Sequence, residues 1–327
     1  MNVRSLMGRF LSGSALAGNA LILPVLFVVG ATIPLEAQDH PESKDVVVPE
    51  GHWRIGSYDV RLVGTYFHAK NTIDPSTGKP ELMRSDHQLQ ILRDGVPLGQ
   101  IKDYRLFLSP APRKNYMPPP FRANVIGTAT PNIVAYGWSG GAHCCFTTHV
   151  FDLGDPFRKI DTIDTGDYEP RFLQLDDDPA LEIKVYDTIY GYWRTGFSDS
   201  VAPEVVLKFD AGKNRYAFSP ALMRRPPPAE TELQGQADAV RALPLWTKYQ
   251  RPPPKLWEVM LDLIYAGNYP LARPFLDRAW NDAVPGKEEF WDELIKCQMR
   301  ESRFWPDIAA LNGLVAAKPE GKCPGPQ

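Results

Sequence analysis

Residues with reactive side chains gather in one short stretch, Gly137-Trp138-Ser139-Gly140-Gly141-Ala142-His143-Cys144-Cys145 followed by His149. Gly137 to Gly141 has the G-x-S-x-G spacing that can present a serine nucleophile on a tight turn after an apolar strand. The turn should then lead into a helix. CCFTTHVFDL is instead β-branched and aromatic, and no histidine follows His149 to act as a distant base. A hairpin turn between two strands accounts better for the glycines. The same stretch offers thiolates and imidazoles in His143, Cys144, Cys145 and His149, the ligand types that zinc and copper prefer. Neighbouring side chains along a strand point to opposite faces, so Cys144 and Cys145 cannot share one ion without a local distortion.

Four cysteines allow three pairings. Cys297 with Cys323 would staple the tail to the C-terminal helices, leaving Cys144 and Cys145 to close a ring that stiffens the turn. A second concentration of side chains, TIYGYWRTGFSD, brings Tyr190, Tyr192, Trp193 and Phe197 together with Arg194. Aromatics beside an arginine suit a surface that grips a sugar, a peptide or another protein. More often such residues are core positions of a strand pair.

These groups need a scaffold, and the hydrophobic period describes it. YDVRLVGTY, HQLQILR, NIVAYGW, FTTHVF, LEIKVYD and EVVLKFD alternate apolar and polar residues or run through β-branched ones, as strands do. Asp94-Gly95 between two such runs signals a hairpin. Proline clusters at RRPPPAE and RPPPK mark a joint, because proline fixes φ and lacks the amide hydrogen that a helix or sheet interior requires. Within it, TELQGQADAVRAL can form a short bridging helix. Beyond it the period becomes 3.6. LWEVMLDLI from Leu256 recurs 34 residues later as FWDELIKCQ from Phe290, so that Trp257, Met260 and Leu261 answer Trp291, Leu294 and Ile295.

The expected fold is therefore α+β and multidomain. An antiparallel β domain of blade-like or sandwich sheets spans 51–223, a proline-rich linker 224–254, a small α-helical hairpin domain 255–313, and a tail 314–327.

Two resemblances sharpen this. FLQLDDDPALEI is similar to the start of an FG-GAP repeat, the blade unit of integrin-type propellers, and two units of about 122–165 and 170–219 relate to each other at an offset of 50 residues. The resemblance implies a calcium loop with Asp176, Asp178 and Glu182 as ligands, since alternate carboxylates suit a hard cation. Gln174 stands where such loops commonly open with an acid, and Asp177 and Pro179 where they carry glycine. Trp257, Gly267, Tyr269 and Ala272 resemble the first half of a tetratricopeptide repeat, which implies a protein-binding or packing role for the helices.

The N-terminus speaks to location. Arg4 and Arg9 precede an apolar stretch, Leu21 to Leu35, that matches a signal-peptide core and falls short of a membrane-spanning helix. Cleavage after Ala37 would remove residues 1–37 and release a periplasmic or secreted chain with no membrane span; an uncleaved segment would anchor it. A net charge of −3 without basic runs excludes the electrostatic footprint of nucleic-acid binding. The composite expectation is an exported, non-catalytic binding or scaffold module of the cell envelope, with an envelope protein or glycan as partner. Its contact surface would include Trp138, Ser139, His143, Tyr190, Tyr192, Trp193 and Arg194. The alternative is an envelope enzyme, either a hydrolase using Ser139 or a metal enzyme using His143, Cys144, Cys145 and His149.

Overall fold

A computed structural model describes residues 45–108, 123–141 and 144–319, without the side chains of Lys70, Asn71 and Cys144. The leader 1–37, His143, Cys323 and the end of the tail lie outside the described residues. The fold is α+β. Three antiparallel sheets are built each from four strands, followed by helices.

Sheet I contains β1 (Val46–Ile55), β2 (Tyr58–Ile73), β3 (Pro80–Arg93) and β4 (Val96–Asp103). Sheet II contains β5 (Arg105–Phe107), β6 (Asn132–Gly141), β7 (Cys144–Asp152) and β8 (Arg158–Gly166). Sheet III contains β9 (Arg171–Leu173), β10 (Glu182–Tyr186), β11 (Glu204–Asp210) and β12 (Arg215–Phe218). In every sheet neighbouring strands are consecutive in the chain, so each is a simple up-and-down meander. The Asp94-Gly95 turn joins β3 to β4 with φ of 49° and 83°, both positive as a two-residue hairpin requires.

Sheet II is the middle layer. Ile133, Ala135 and Phe151 join Val60, Leu89 and Ile91 of sheet I in one core. Val134, Tyr136 and Val150, which alternate with them, join Phe172, Ile183 and Val185 of sheet III in a second. Burial on both faces explains why NIVAY reads as an unbroken apolar run instead of alternating.

The second core continues without a break into the helices: α1 (Pro220–Met223), α2 (Glu230–Arg241), α3 (Leu245–Tyr249), α4 (Pro254–Tyr265), α5 (Tyr269–Ala279), α6 (Lys287–Asp292) and α7 (Trp305–Leu311). The proline clusters do bound elements, with Pro254 opening α4, but the stretch between them carries α2 and α3. Leu233, Ala237 and Val240 of α2 and Trp246 of α3 are buried in the common core. The described residues form one compact unit.

In the repeated helical segment Met260, Leu261, Leu294 and Ile295 are all buried, as the shared stripe requires. The tryptophans part company. Trp257 is fully buried, whereas Trp291 is half-buried and Phe290 takes the interior place beside Trp257, their rings 6.1 Å apart. After α6 the chain widens into a π-helical turn, Glu293–Cys297. No helix among the described residues is long and apolar enough to cross a membrane.

Candidate functional site

The G-x-S-x-G stretch closes the β6–β7 hairpin. Trp138 pairs with Phe146 and Gly141 with Cys144 across the ladder. Ser139 is exposed, and its Oγ accepts the Cys145 amide at 2.8 Å, which ties the turn to the strand that follows. Ala135 faces His149, and Ser139 lies four residues beyond it, so about 13 Å of strand separates serine from imidazole. The hairpin thus offers no base to Ser139 from His149. That histidine is buried, holds Thr162 Oγ1 at 3.1 Å, and is pushed down to about 4 by burial and then by the charge of Lys159. Cys145 and Cys297 are each oxidised, and no bond joins one to the other among the described residues. The pairings expected with Cys144 and Cys323 fall outside the described side chains.

Beside the hairpin stands Tyr104, at the bend that carries the chain from β4 of sheet I to β5 of sheet II. Its ring meets Trp138 edge to face at 5.7 Å. Gly140 supplies the space: its φ is +88°, and a Cβ there would lie 2.8 Å from the Tyr104 ring. Tyr104 is 41% exposed and Trp138 half-buried. Asp103 completes the group. Its carboxylate accepts the Tyr104 amide at 2.7 Å, lies over Gly137, and is held above the usual carboxylate range by burial. Sequence reading found Trp138 but missed Tyr104 and Asp103, which reach the hairpin from the preceding sheet. Gly140→Ala forces a side chain into the left-handed region and against the ring. It is expected to lower the unfolding free energy by about 1–2 kcal/mol in urea denaturation.

The segment from Tyr190 to Arg194 faces the protein's own interior. Tyr190 is fully buried with its hydroxyl 3.2 Å from that of Tyr265. Trp193 packs edge to face on Trp257 at 5.4 Å, and its indole N–H donates to Glu293 at 2.6 Å. Arg194 binds both oxygens of the same carboxylate. Tyr192 alone points outward, 43% exposed. Next to this segment Asp164, Tyr186, Thr188, Glu301 and Arg303 line a cleft of about 330 Å³. At its floor buried Asp187 already accepts from the Tyr265 hydroxyl, the Ser302 hydroxyl and the Ile189 amide. The bonds from Tyr265 and Ser302 tie the end of sheet III to α4 and to the segment before α7.

Asp176, Asp178 and Glu182 do converge, with ligand oxygens within 4.8 Å of one another. The centre of that cage is filled by the Lys208 ammonium, which contacts Asp176 Oδ2, lies 2.5 Å from Asp178 Oδ2 and 3.9 Å from Glu182 Oε1. Lys208 holds the Asp176 carboxyl below its ordinary range. The ammonium stands where a cation held by these three carboxylates would sit.

No family model, curated protein or solved structure matches the chain.

Proposed function

We propose that this protein is a non-catalytic binding module of the cell envelope that grips a glycan through the Tyr104–Trp138 end of sheet II. The observation that carries the reading is the exposed Tyr104 ring set against Trp138 and seated on Gly140, with the Asp103 carboxylate adjoining. Such rings give apolar contact area at little cost in lost rotamer freedom. A carboxylate beside them accepts hydroxyl hydrogens, the combination that a sugar face and its equatorial hydroxyls present. Rigidity matters because every group ordered on binding subtracts from affinity. Here a glycine seat and the hydrogen bond from the Cys145 amide to Ser139 Oγ hold the turn beforehand.

Two further features support the reading. Three consecutive four-stranded meanders are the topology of propeller blades, which accords with the FG-GAP resemblance and with a protein that binds at its sheet ends. The apolar opening of the chain and the oxidised cysteines accord with export to an oxidising compartment.

Sedimentation with insoluble cell-wall glycan checks the proposal. Tyr104→Ala combined with Trp138→Ala is expected to weaken binding at least about tenfold, the loss of about 1.4 kcal/mol or more that removing a stacking pair entails. Tyr249→Ala, which removes an exposed tyrosine elsewhere, is expected to leave it unchanged. Equal sedimentation of the double variant and the wild type would remove the proposal's basis. Labelling of Ser139 by a serine-directed phosphonate would instead favour the hydrolase alternative.

A further inference from the structure

The acidic loop before β10 is built as a cage. Each of its three carboxylates spends one oxygen on a loop amide: Asp176 Oδ1 accepts Asp178 N at 3.1 Å, Asp178 Oδ1 accepts Ala180 N at 2.8 Å, and Glu182 Oε2 accepts Leu175 N at 2.8 Å. The remaining three oxygens turn inward to one point. Gln174 braces the arrangement from outside, its side-chain amide donating to the carbonyls of Asp176 and Asp178. Lys208 reaches the point from the neighbouring strand β11.

Two independent facts show that the point demands a cation. Glu182 is fully buried, and its inward oxygen Oε1 accepts no hydrogen bond. Three carboxylates also surround a single ammonium, which leaves negative charge that one positive charge does not neutralise. A buried carboxylate stripped of its counter-charge is costly.

We propose that Asp176, Asp178 and Glu182 form a cation cage whose occupant is the chain's own Lys208, and that removing this ammonium opens the cage to a divalent ion. The protein thereby holds the loop between β9 and β10 closed without metal. The departures from a calcium loop follow from this. With the cation tethered to β11, the loop does not need a fourth carboxylate, and a neutral Gln174 serves as a brace. The glycines that would let a loop wrap a free ion are likewise dispensable, so Asp177 and Pro179 are tolerated. This inference is independent of the glycan reading and survives or falls without it.

The test uses the whole chain, calcium chloride and terbium chloride. Wild-type protein is expected to melt at the same temperature in EDTA and in millimolar calcium. It should give no terbium luminescence on excitation of tyrosine. Tyr216 is the natural sensitiser, since the charges of Glu182 and Asp178 act on its hydroxyl. Lys208→Met is expected to melt about 10 °C lower in EDTA, as befits an uncompensated buried charge. Calcium, but not sodium at equal ionic strength, should restore most of that loss, and sensitised terbium emission should appear. Lys208→Met combined with Glu182→Gln should recover stability without metal and lose the calcium response. Should Lys208→Met be recovered unfolded, the comparison is made on its refolding, which must then depend on calcium. A calcium-dependent rise in the wild-type melting temperature would overturn the proposal, as would a Lys208→Met protein indifferent to calcium.

Discussion

Glu293→Ala is expected to lower the unfolding free energy by about 3–4 kcal/mol, measured by urea denaturation at neutral pH. The carboxylate is the single acceptor for two neighbouring donors, the Trp193 indole N–H and the Arg194 guanidinium. Trp193 is 3% exposed, so without Glu293 its N–H is left unpaired where water does not reach. The guanidinium is then half of a broken, partly buried pair. The backbone adds to the cost of releasing them: Tyr192 and Arg194 both hold positive φ, 61° and 55°. Non-glycine residues remain in that region only where surrounding contacts over-determine them. Glu293, projected from the π-helical turn toward the segment between β10 and β11, holds the Trp193 and Arg194 side chains, while Ser200 Oγ accepts the Tyr192 amide at 2.9 Å. Glu293→Gln keeps an acceptor for the indole and loses the charge, so about half the effect is expected. Acrylamide quenching should rise in parallel as Trp193 loosens. An alanine variant as stable as the wild type would show that the aromatic packing of Trp193 on Trp257 and Phe290 suffices alone.

That cluster also shows where sequence stops being informative. Tyr190, Trp193 and Arg194 are the residue types of a binding surface and equally of a buried joint, and the decision rests on Glu293, about a hundred residues away. No local pattern carries such a contact. By contrast, the change from period two to period 3.6 was enough to place sheets before helices, because it depends only on neighbours along one element. The Asp94-Gly95 turn was legible for the same reason.

The region from 224 to 254 is intermediate. Its proline clusters mark element ends correctly, but Leu233, Ala237 and Val240 repeat at helical spacing, a signal that the segment packs as well as connects. Among the candidate site groups, Trp138 could be picked out from its place in the glycine turn. Tyr104, Asp103 and Lys208 could not, since the end of β4 and the bend after it bring the first two to the hairpin and β11 brings Lys208 to the loop before β10.

Acid should destabilise the protein through His149, and the sign follows from burial. The imidazole in the folded chain titrates at about 4, because the interior and then Lys159 disfavour its charged form. In the unfolded chain it titrates near its ordinary value of about 6.5. Between these values the unfolded state takes up a proton that the folded state refuses. Stability is therefore intact above about pH 6.5, falls as the pH drops through that window, and levels off below about 4. The full difference is about 3 kcal/mol. His87 shifts in the same direction: it is buried, and its Nδ1 accepts the Leu106 amide at 3.1 Å while Nε2 lies 3.1 Å from Glu50 Oε2. A direct comparison of wild type with His149→Gln separates the two histidines, since every other group titrates in both proteins. The glutamine variant should be less stable at pH 7, having lost a well-packed ring, and the gap should close by about 2–3 kcal/mol at pH 4.5. Parallel pH profiles for the two proteins would mean that His149 is reached by water in the folded state, and the middle sheet would then be less sealed on that face than its geometry indicates.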